Sequence, residues 1–294
     1  SNTFPSPSSN FTFTSLEKTI RLASGIKEEN HYKLIQLPLN LIETGGVTEL
    51  NQSSHQSVIQ IANAHDIGVM INRPLNAIFH NQILRLADYH LDRSFEKGID
   101  IQFLLKPIQD KEYEFARDIL PELGLEDEQA QQIHHIFMLA GTLNENWRTF
   151  QGFHHWKEVM SHYFVPRLES GLQFVSEHSK KPETQQWVQS YLESVNYVFL
   201  QLSEFFKYQS NKKSESVKQA VEDAEPYWSA NKLSQTAVRA LRSQDGIHVV
   251  LIGMREPVYV DSVLEELSVD VDQEDRTLSW DRLGQSFKEL SNLL

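Results

Sequence analysis

The sequence has no cysteine, fewer basic than acidic side chains, and no long apolar run. Without cysteine, disulfide bonds, thiolate metal sites and a cysteine nucleophile are excluded. The 27 Lys and Arg against 40 Asp and Glu give a formal net charge of -13, which argues against nucleic-acid binding because phosphate contacts need clustered cations. No stretch reaches the roughly 18–20 apolar residues of a membrane span. We expect a cytoplasmic protein that binds neither nucleic acid nor membranes.

Several sequence signals are also missing. There is no Gly-x-Gly-x-x-Gly, phosphate-loop or nucleophile-elbow pattern. The first residues contain no methionine, no basic region and no apolar signal core, so we do not expect Ser1 to be a natural translation start. Either a segment was removed before it or the chain is a fragment.

Three short apolar runs, at residues 32–39, 67–71 and 248–252, each lead into a polar turn and then a helical pattern. Such runs are typical of buried parallel strands. The order helix, strand, helix, strand in the first 77 residues predicts a parallel sheet. In α/β proteins, sites are built at the carboxyl ends of such strands.

The middle of the chain has helical periodicity and no convincing strand, with residues 101–105 the sole candidate. Pro166 should kink or split one of the helices. The predicted helices lie near residues 83–97, 111–120, 126–147, 155–178, 183–208, 214–224 and 230–243. In the helix at 183–208, one face carries a stripe predicted to be core: Trp187, Tyr191, Val195, Val198, Phe199, Leu202 and Phe206. We therefore predict segments 1–78 and 230–294 of an α/β frame and a helical insertion at 79–229.

Four phrases in the frame resemble the aldo/keto reductase superfamily. They are Ser-Asn-Thr-Phe at 1–4, Ile-Gln-Leu-Pro-Leu-Asn-Leu-Ile-Glu at 35–43, Ile-Gly-Val-Met-Ile-Asn-Arg-Pro-Leu at 67–75, and Val-Leu-Ile-Gly-Met-Arg-Glu-Pro-Val-Tyr-Val at 250–260. They look like the end of that family's fifth strand and its sixth, seventh and eighth strands. The resemblance implies an α/β fold of the partial (β/α)8 TIM-barrel kind, comprising the last three strands and helices, with a large all-α insertion between the last two strands.

The resemblance also implies a cofactor, NADP or NAD. Ser1, Asn2 and Gln36 would hydrogen-bond the nicotinamide carboxamide. Asn72 occupies, or lies next to, the place where the family commonly stacks an aromatic ring on the nicotinamide, and Arg73 would pair with the pyrophosphate or with an acidic side chain. The residues that would approach the adenosine end are Gly253, Met254, Arg255 and Tyr259.

Departures from the family pattern leave two questions open. Tyr259 and Val263 stand where NADP-dependent members often have a basic residue and an Asn, so the choice between NAD and NADP is open. The family's catalytic Asp, Tyr, Lys and His lie on strands N-terminal to the Ser-Asn pair, so no catalytic residue is expected in this chain and the chain alone should be inactive.

Two functions from different classes follow. The first is the C-terminal part of an NAD(P)(H)-dependent oxidoreductase of the aldo/keto reductase type, whose substrate is a small-molecule carbonyl, alcohol or sugar. The second is a non-catalytic, barrel-derived scaffold whose helical insertion binds a protein partner.

One group of histidines has the residue types of a metal site. His155, Glu158 and His162 are spaced by three and four residues, which places them on one face of a regular α-helix. Metal sites in helical bundles draw ligands from several helices, and a second such motif is not evident. A polar helix surface is the favoured interpretation, and no metal site is predicted.

Overall fold

The computed structural model describes residues 2–27, 30–53, 55–79, 82–92, 98–254 and 257–289, except the side chain at position 258. The chain is a mixed α/β protein, 63% helical, with a small parallel sheet of three strands. The predicted α/β class is confirmed at this level.

Helices and strands alternate only near the two ends of the chain, as the sequence predicted. In chain order they are α1 (Leu16–Ile26), β1 (Leu34–Pro38), α2 (Gly45–Thr48), α3 (Val58–Ala64), β2 (Gly68–Asn72), β3 (Asn76–Phe79), β4 (Gln82–Arg85), α4 (Ile101–Glu114), α5 (Asp127–Ile136), α6 (Leu139–Asn146), α7 (Phe153–Val159), α8 (Val165–His178), α9 (Pro182–Ala224), α10 (Leu233–Ser243), β5 (Val249–Val250), α11 (Pro257–Leu267) and α12 (Thr277–Glu289).

The chain divides into two compact units. Unit 1 comprises Ser1–Asp88 and Asn211–Leu294, and unit 2 comprises Tyr89–Ser210. The helical insertion predicted at 79–229 is thus wider than the helical unit. Its first residues form the β3–β4 hairpin of unit 1, and the last turns of α9 place Val217 and Val221 in the core of unit 1.

The parallel sheet of unit 1 has the order β1-β2-β5. Gln36 of β1 lies opposite Met70 of β2, which in turn lies opposite Val249 of β5. Helix α3, which connects β1 to β2, begins at a capping box formed by Ser57 and Gln60. The three predicted strands are therefore confirmed, since their β-branched and apolar residues suit a pleated, buried surface.

The two faces of this sheet differ in burial. Alternate residues of β1 and β2 point into the helical core of unit 1, where Leu37, Val69 and Ile71 are fully buried. On the opposite face, Leu34 is 50% exposed and Leu251, just after β5, is 40% exposed. The described helices of unit 1 thus cover one face of the sheet and leave apolar side chains on the other.

Unit 2 has an aromatic core. Phe115, Phe137, Trp187 and Tyr191 pack with ring centroids 4.5–5.4 Å apart, a separation suited to edge and offset contacts. The predicted α9 stripe from Trp187 to Phe206 is buried, which confirms its core role. Although α9 has 43 residues, neither it nor another described helix has the apolar length needed to cross a membrane.

Several local predictions were wrong. Residues 101–105 begin helix α4 rather than a strand, because Asp100 caps them by accepting from Phe103 N. The helix predicted at 83–97 is instead strand β4 at its start, and residues 93–97 lie outside the described part. The two helices predicted at 183–208 and 214–224 are one, since no Gly or Pro interrupts the sequence between them.

Pro166 was predicted to kink or split a helix. The structure has a π-helical segment, Met160–Phe164, immediately before α8, in which Pro166 is the second residue. A proline is tolerated in the first turn of a helix because its missing N–H would have no intrahelical acceptor there. A second π-helical segment, Phe115–Ile119, extends α4.

Candidate functional site

Polar side chains gather where β1 and β2 end. Asn40 follows β1, Asn72 is the last residue of β2, and Arg73 comes directly after it. The strands are parallel, so their carboxyl ends meet at one edge of the sheet. Ligands of open α/β sheets bind at this kind of edge.

Asn40 fixes the turn that follows β1. Its buried amide oxygen accepts from the backbone N–H of Ile42 at 3.0 Å and of Glu43 at 2.9 Å. Its amide nitrogen donates to Glu43 Oε2 at 2.9 Å and to the Arg73 carbonyl at 3.2 Å. An Asn side chain that mimics a backbone turn in this way holds the loop in one conformation. Asn40 therefore ties the ends of β1 and β2 together.

Glu43 extends this network to the hairpin. Its carboxylate pairs with Arg73 Nη2 and accepts from the backbone N–H of Ile78, in β3, at 3.0 Å. The turn after β1 and the segment from Arg73 to Ile78, at least 30 residues later, thus meet at one acidic side chain. The hairpin is thereby fixed at the carboxyl end of β2.

Arg73 has a left-handed backbone conformation, and its side chain is paired with Glu43. Its φ of +53° lies in the left-handed region, which non-glycine residues occupy at some cost and often near functional sites. The sequence left two partners open for it, the pyrophosphate and an acidic side chain, and the structure shows Glu43. Arg73 Nε is buried without an acceptor in the described part of the chain.

Gln36 and Asn72 lie on the same, less covered face of the sheet. They alternate with the buried residues Leu37 and Ile71, and Gln36 is exposed. In register, Asn72 lies opposite Pro38, two positions beyond the Gln36–Met70 pair. Asn72 Oδ1 is buried, and the described residues place no donor within hydrogen-bonding distance of it. The structure therefore brings these two predicted residues onto one surface.

Near Tyr259 the structure reveals a cation that the sequence did not indicate. Arg85 of β4 lies with its guanidinium carbon 5.7 Å from the centre of the Tyr259 ring, in the first turn of α11. Its Nη1 donates to Asn76 Oδ1 across the hairpin at 2.8 Å. No local pattern could have identified Arg85, because its position depends on a hairpin that the sequence analysis missed.

The remaining predicted residues are less tightly held. Gly253 and Met254 are exposed in the loop between β5 and α11. Asn2 is exposed in an N-terminal segment anchored by Asn51, whose amide donates to the carbonyls of Phe4 at 2.7 Å and Ser6 at 2.8 Å. Ser1 and Arg255 lie outside the described residues.

The histidines of unit 2 make local contacts on their helix. His155 lies in α7, and His162 lies in the π-helical segment at 160–164. His155 Nδ1 accepts from the Gln151 backbone at 3.3 Å, and His162 Nδ1 is 3.0 Å from the Glu158 carbonyl. Among the described residues no group of three His, Asp or Glu side chains could hold a metal ion.

A shallow groove of about 360 Å³ in unit 1 contains none of the predicted site residues. Its polar side chains already have partners: Lys218 pairs with Asp88 at 2.8 Å, and the Ser229 hydroxyl donates to Glu222. It is lined by Glu215, Lys218, Gln219, Glu222, Ser229, Ala230 and Thr236. Because Lys218 and Ser229 already have protein partners and the groove contains none of the predicted residues, we place the candidate site at the sheet edge.

No family model, curated protein or solved structure matches the chain. The resemblance to the aldo/keto reductases therefore remains a hypothesis drawn from the residues themselves.

Proposed function

We propose that this chain is the C-terminal part of an NAD(P)(H)-dependent oxidoreductase of the aldo/keto reductase type. In this proposal β1, β2 and β5 are the last three strands of a (β/α)8 barrel, and unit 2 is inserted before the eighth. Gln36, in the middle of β1, and Asn72, the last residue of β2, form part of the cofactor pocket. The observation that carries the proposal is their position together on the uncovered face of a parallel sheet.

The uncovered face supports a larger barrel. Parallel sheets in α/β proteins are almost always buried on both faces, whereas here Val249 is 38% exposed and Leu34 is 50% exposed. Strands added beyond β1 and β5 would close the sheet on itself and bury these side chains inside a barrel.

The flanking helices support the same conclusion. On α1, Leu22 and Ile26 are four residues apart and 71% and 89% exposed. On α11, Leu264 and Leu267 are three residues apart and 59% and 54% exposed. Each pair forms an apolar stripe without a covering helix among the described residues. In a barrel, the helices next to α1 and α11 would cover both stripes.

The side chains present fit a dinucleotide. The Gln36 and Asn72 amides can exchange hydrogen bonds with a carboxamide, and Arg85 beside Tyr259 places a cation near the start of α11. When bound, the nicotinamide cofactor supplies the hydride. The proton donor would come from the strands that precede this chain, so we expect no turnover from the chain alone.

The proposal is tested by titrating the chain with NADPH and NADH up to millimolar concentration and observing backbone amide shifts by NMR. We expect weak, saturable binding with shifts in β1 and β2, and at least ten-fold weaker binding by Gln36→Leu. The matched control is Gln285→Leu, the same change at an exposed position of α12, which should bind like the wild type. Absence of binding by the wild type at millimolar cofactor would refute the proposal.

A second candidate function is a scaffold whose helical unit binds a protein partner. It is favoured by three exposed apolar side chains on α9, Leu192, Tyr197 and Leu200, which are 39%, 53% and 47% exposed. Exposed apolar patches of this kind mark interaction sites. Two variants distinguish the two candidate functions. Tyr197→Lys should lose partner binding and keep cofactor binding, whereas Gln36→Leu should keep partner binding and lose cofactor binding.

A further inference from the structure

The starting point is the buried oxygen of Asn72. Buried side-chain acceptors almost always have a donor, from the protein or from a molecule bound to it. Asn72 Oδ1 is buried and has none within the described part of the chain. It is also the last residue of β2, at the edge of the sheet where the candidate site lies.

The neighbouring residues cannot supply the missing donor. Pro38, directly opposite on β1, has no backbone N–H. Arg73, the next residue in the chain, pairs its Nη2 with Glu43, and its Nε makes no hydrogen bond to Asn72 Oδ1. The surrounding strands therefore leave this oxygen without a donor among the described residues.

We infer that Asn72 Oδ1 accepts a hydrogen bond from the carboxamide N–H of the nicotinamide, so that hydrogen bonding replaces the aromatic stacking implied for this position. The inference rests on the proposed cofactor-binding function. It makes Asn72 a residue that determines cofactor specificity.

Strand geometry supports this assignment. Gln36 and Asn72 are on adjacent strands of one face and offset by two residues, which separates their Cα atoms by about 8 Å. Two side-chain amides extending from that spacing can both reach one carboxamide, because each hydrogen bond spans about 2.9 Å. A ring at position 72 would instead bind any nicotinamide analogue with a similar π-surface.

The consequence is a chemical preference that can be measured. A cofactor analogue with an acetyl group in place of the carboxamide keeps the ring and the carbonyl but loses the N–H donor. A site built to hydrogen-bond a group discriminates strongly against analogues that lack it. We expect the wild type to bind the carboxamide cofactor at least ten-fold more tightly than the acetyl analogue.

The experiment compares both cofactors on the full chain carrying Asn72→Leu, Asn72→Asp or Asn72→Tyr, with circular dichroism to verify folding. Asn72→Leu, similar in size but without an acceptor, should lose the preference. Asn72→Asp keeps an acceptor and should retain it, which also provides a test if the leucine variant does not fold. Asn72→Tyr should bind both cofactors with similar affinity through stacking.

The outcomes separate this inference from the proposed function. If the wild type binds cofactor and Asn72→Leu keeps the same preference, the role of Asn72 is refuted while cofactor binding stands. If the wild type binds neither cofactor, the proposed function fails and the inference fails with it. Equal binding of the two cofactors by the wild type would also overturn the inference.

Discussion

Glu112, partly buried beside the core of unit 2, should make the stability of that unit depend on pH. Its Oε1 accepts from the backbone N–H of Ala140 at 3.0 Å and from the Tyr191 hydroxyl at 3.2 Å. Burial raises the pKa of Glu112 from 4.5 to about 7, an effect that hydrogen bonds from Ala140, Tyr191 and Leu139 only partly offset. We test its role with Glu112→Gln, which keeps an acceptor oxygen but cannot ionise.

The sign follows from which state binds the proton more tightly. The folded unit, with the pKa near 7, holds the Glu112 proton between pH 4.5 and 7, whereas the unfolded chain releases it near 4.5. The contribution of this proton to stability is therefore fully present below pH 4.5 and is lost as the pH rises through 7. One pKa unit corresponds to about 1.4 kcal/mol, so the loss for wild-type unit 2 is on the order of 3 kcal/mol.

Native-state hydrogen exchange of the α6 amides at pH 4.5 and pH 8 provides the assay. Wild type and variant are compared at the same pH, because the intrinsic exchange rate of each α6 amide is then the same in both proteins. At pH 4.5 we expect the free energy of opening of the α6 amides to be the same in Glu112→Gln and in the wild type. At pH 8 we expect it to be higher in Glu112→Gln by up to about 3 kcal/mol. The control is Glu114→Gln, which removes an exposed carboxylate paired with Lys111 at 2.8 Å and should shift protection by less than about 1 kcal/mol. Parallel pH profiles for wild type and Glu112→Gln would refute the reasoning.

Three further predictions concern stability. Gly141→Ala should stabilise unit 2 by about 0.5–1 kcal/mol, because a Cβ there meets nothing within 4 Å. Gly171→Ala should destabilise it by about 1–3 kcal/mol, because its Cβ would lie 2.6 Å from a side-chain carbon of α5. Urea midpoints of the two variants that shift in the same direction would refute one of these predictions. Glu266→Ala should cost about 3–5 kcal/mol, since it leaves Arg239, now 2.8 Å away, without a carboxylate in a buried site. Glu265→Ala, at an exposed position, is the control, and equal thermal midpoints for the two variants would refute the role of Glu266.

The elements that could be predicted are those with local causes. The runs at 34–38, 68–72 and 249–250 contain enough β-branched and apolar residues to mark them as strands. The spacing of apolar residues in α9 marked its buried face. The β3–β4 hairpin was missed because its docking depends on Glu43, some 35 residues earlier, which accepts from Ile78 N. Local propensity carries no information about such a partner.

Some residues of the candidate site could be predicted from sequence, and others could not. Gln36 and Asn72 could be selected from sequence only through the family resemblance, and the structure places them on one face. The partner of the Arg73 side chain could not be predicted from sequence, since this side chain could pair with a ligand or with the protein. Glu43 settles this through a contact across 30 residues. Arg85 was absent from the sequence analysis for a similar reason, because only the folded hairpin brings it to Tyr259.

The sequence by itself determined where the strands lie, that the middle of the chain is helical, and which face of α9 is buried. These follow from periodicity and side-chain type, which act over a few residues. Only the tertiary structure decided that the described residues leave apolar side chains exposed on one face of the sheet and that none of them donates to Asn72 Oδ1. It also decided that two helical glycines, Gly141 and Gly171, have opposite surroundings. Each of these depends on what another part of the chain brings within a few ångströms, and that distance is set by packing.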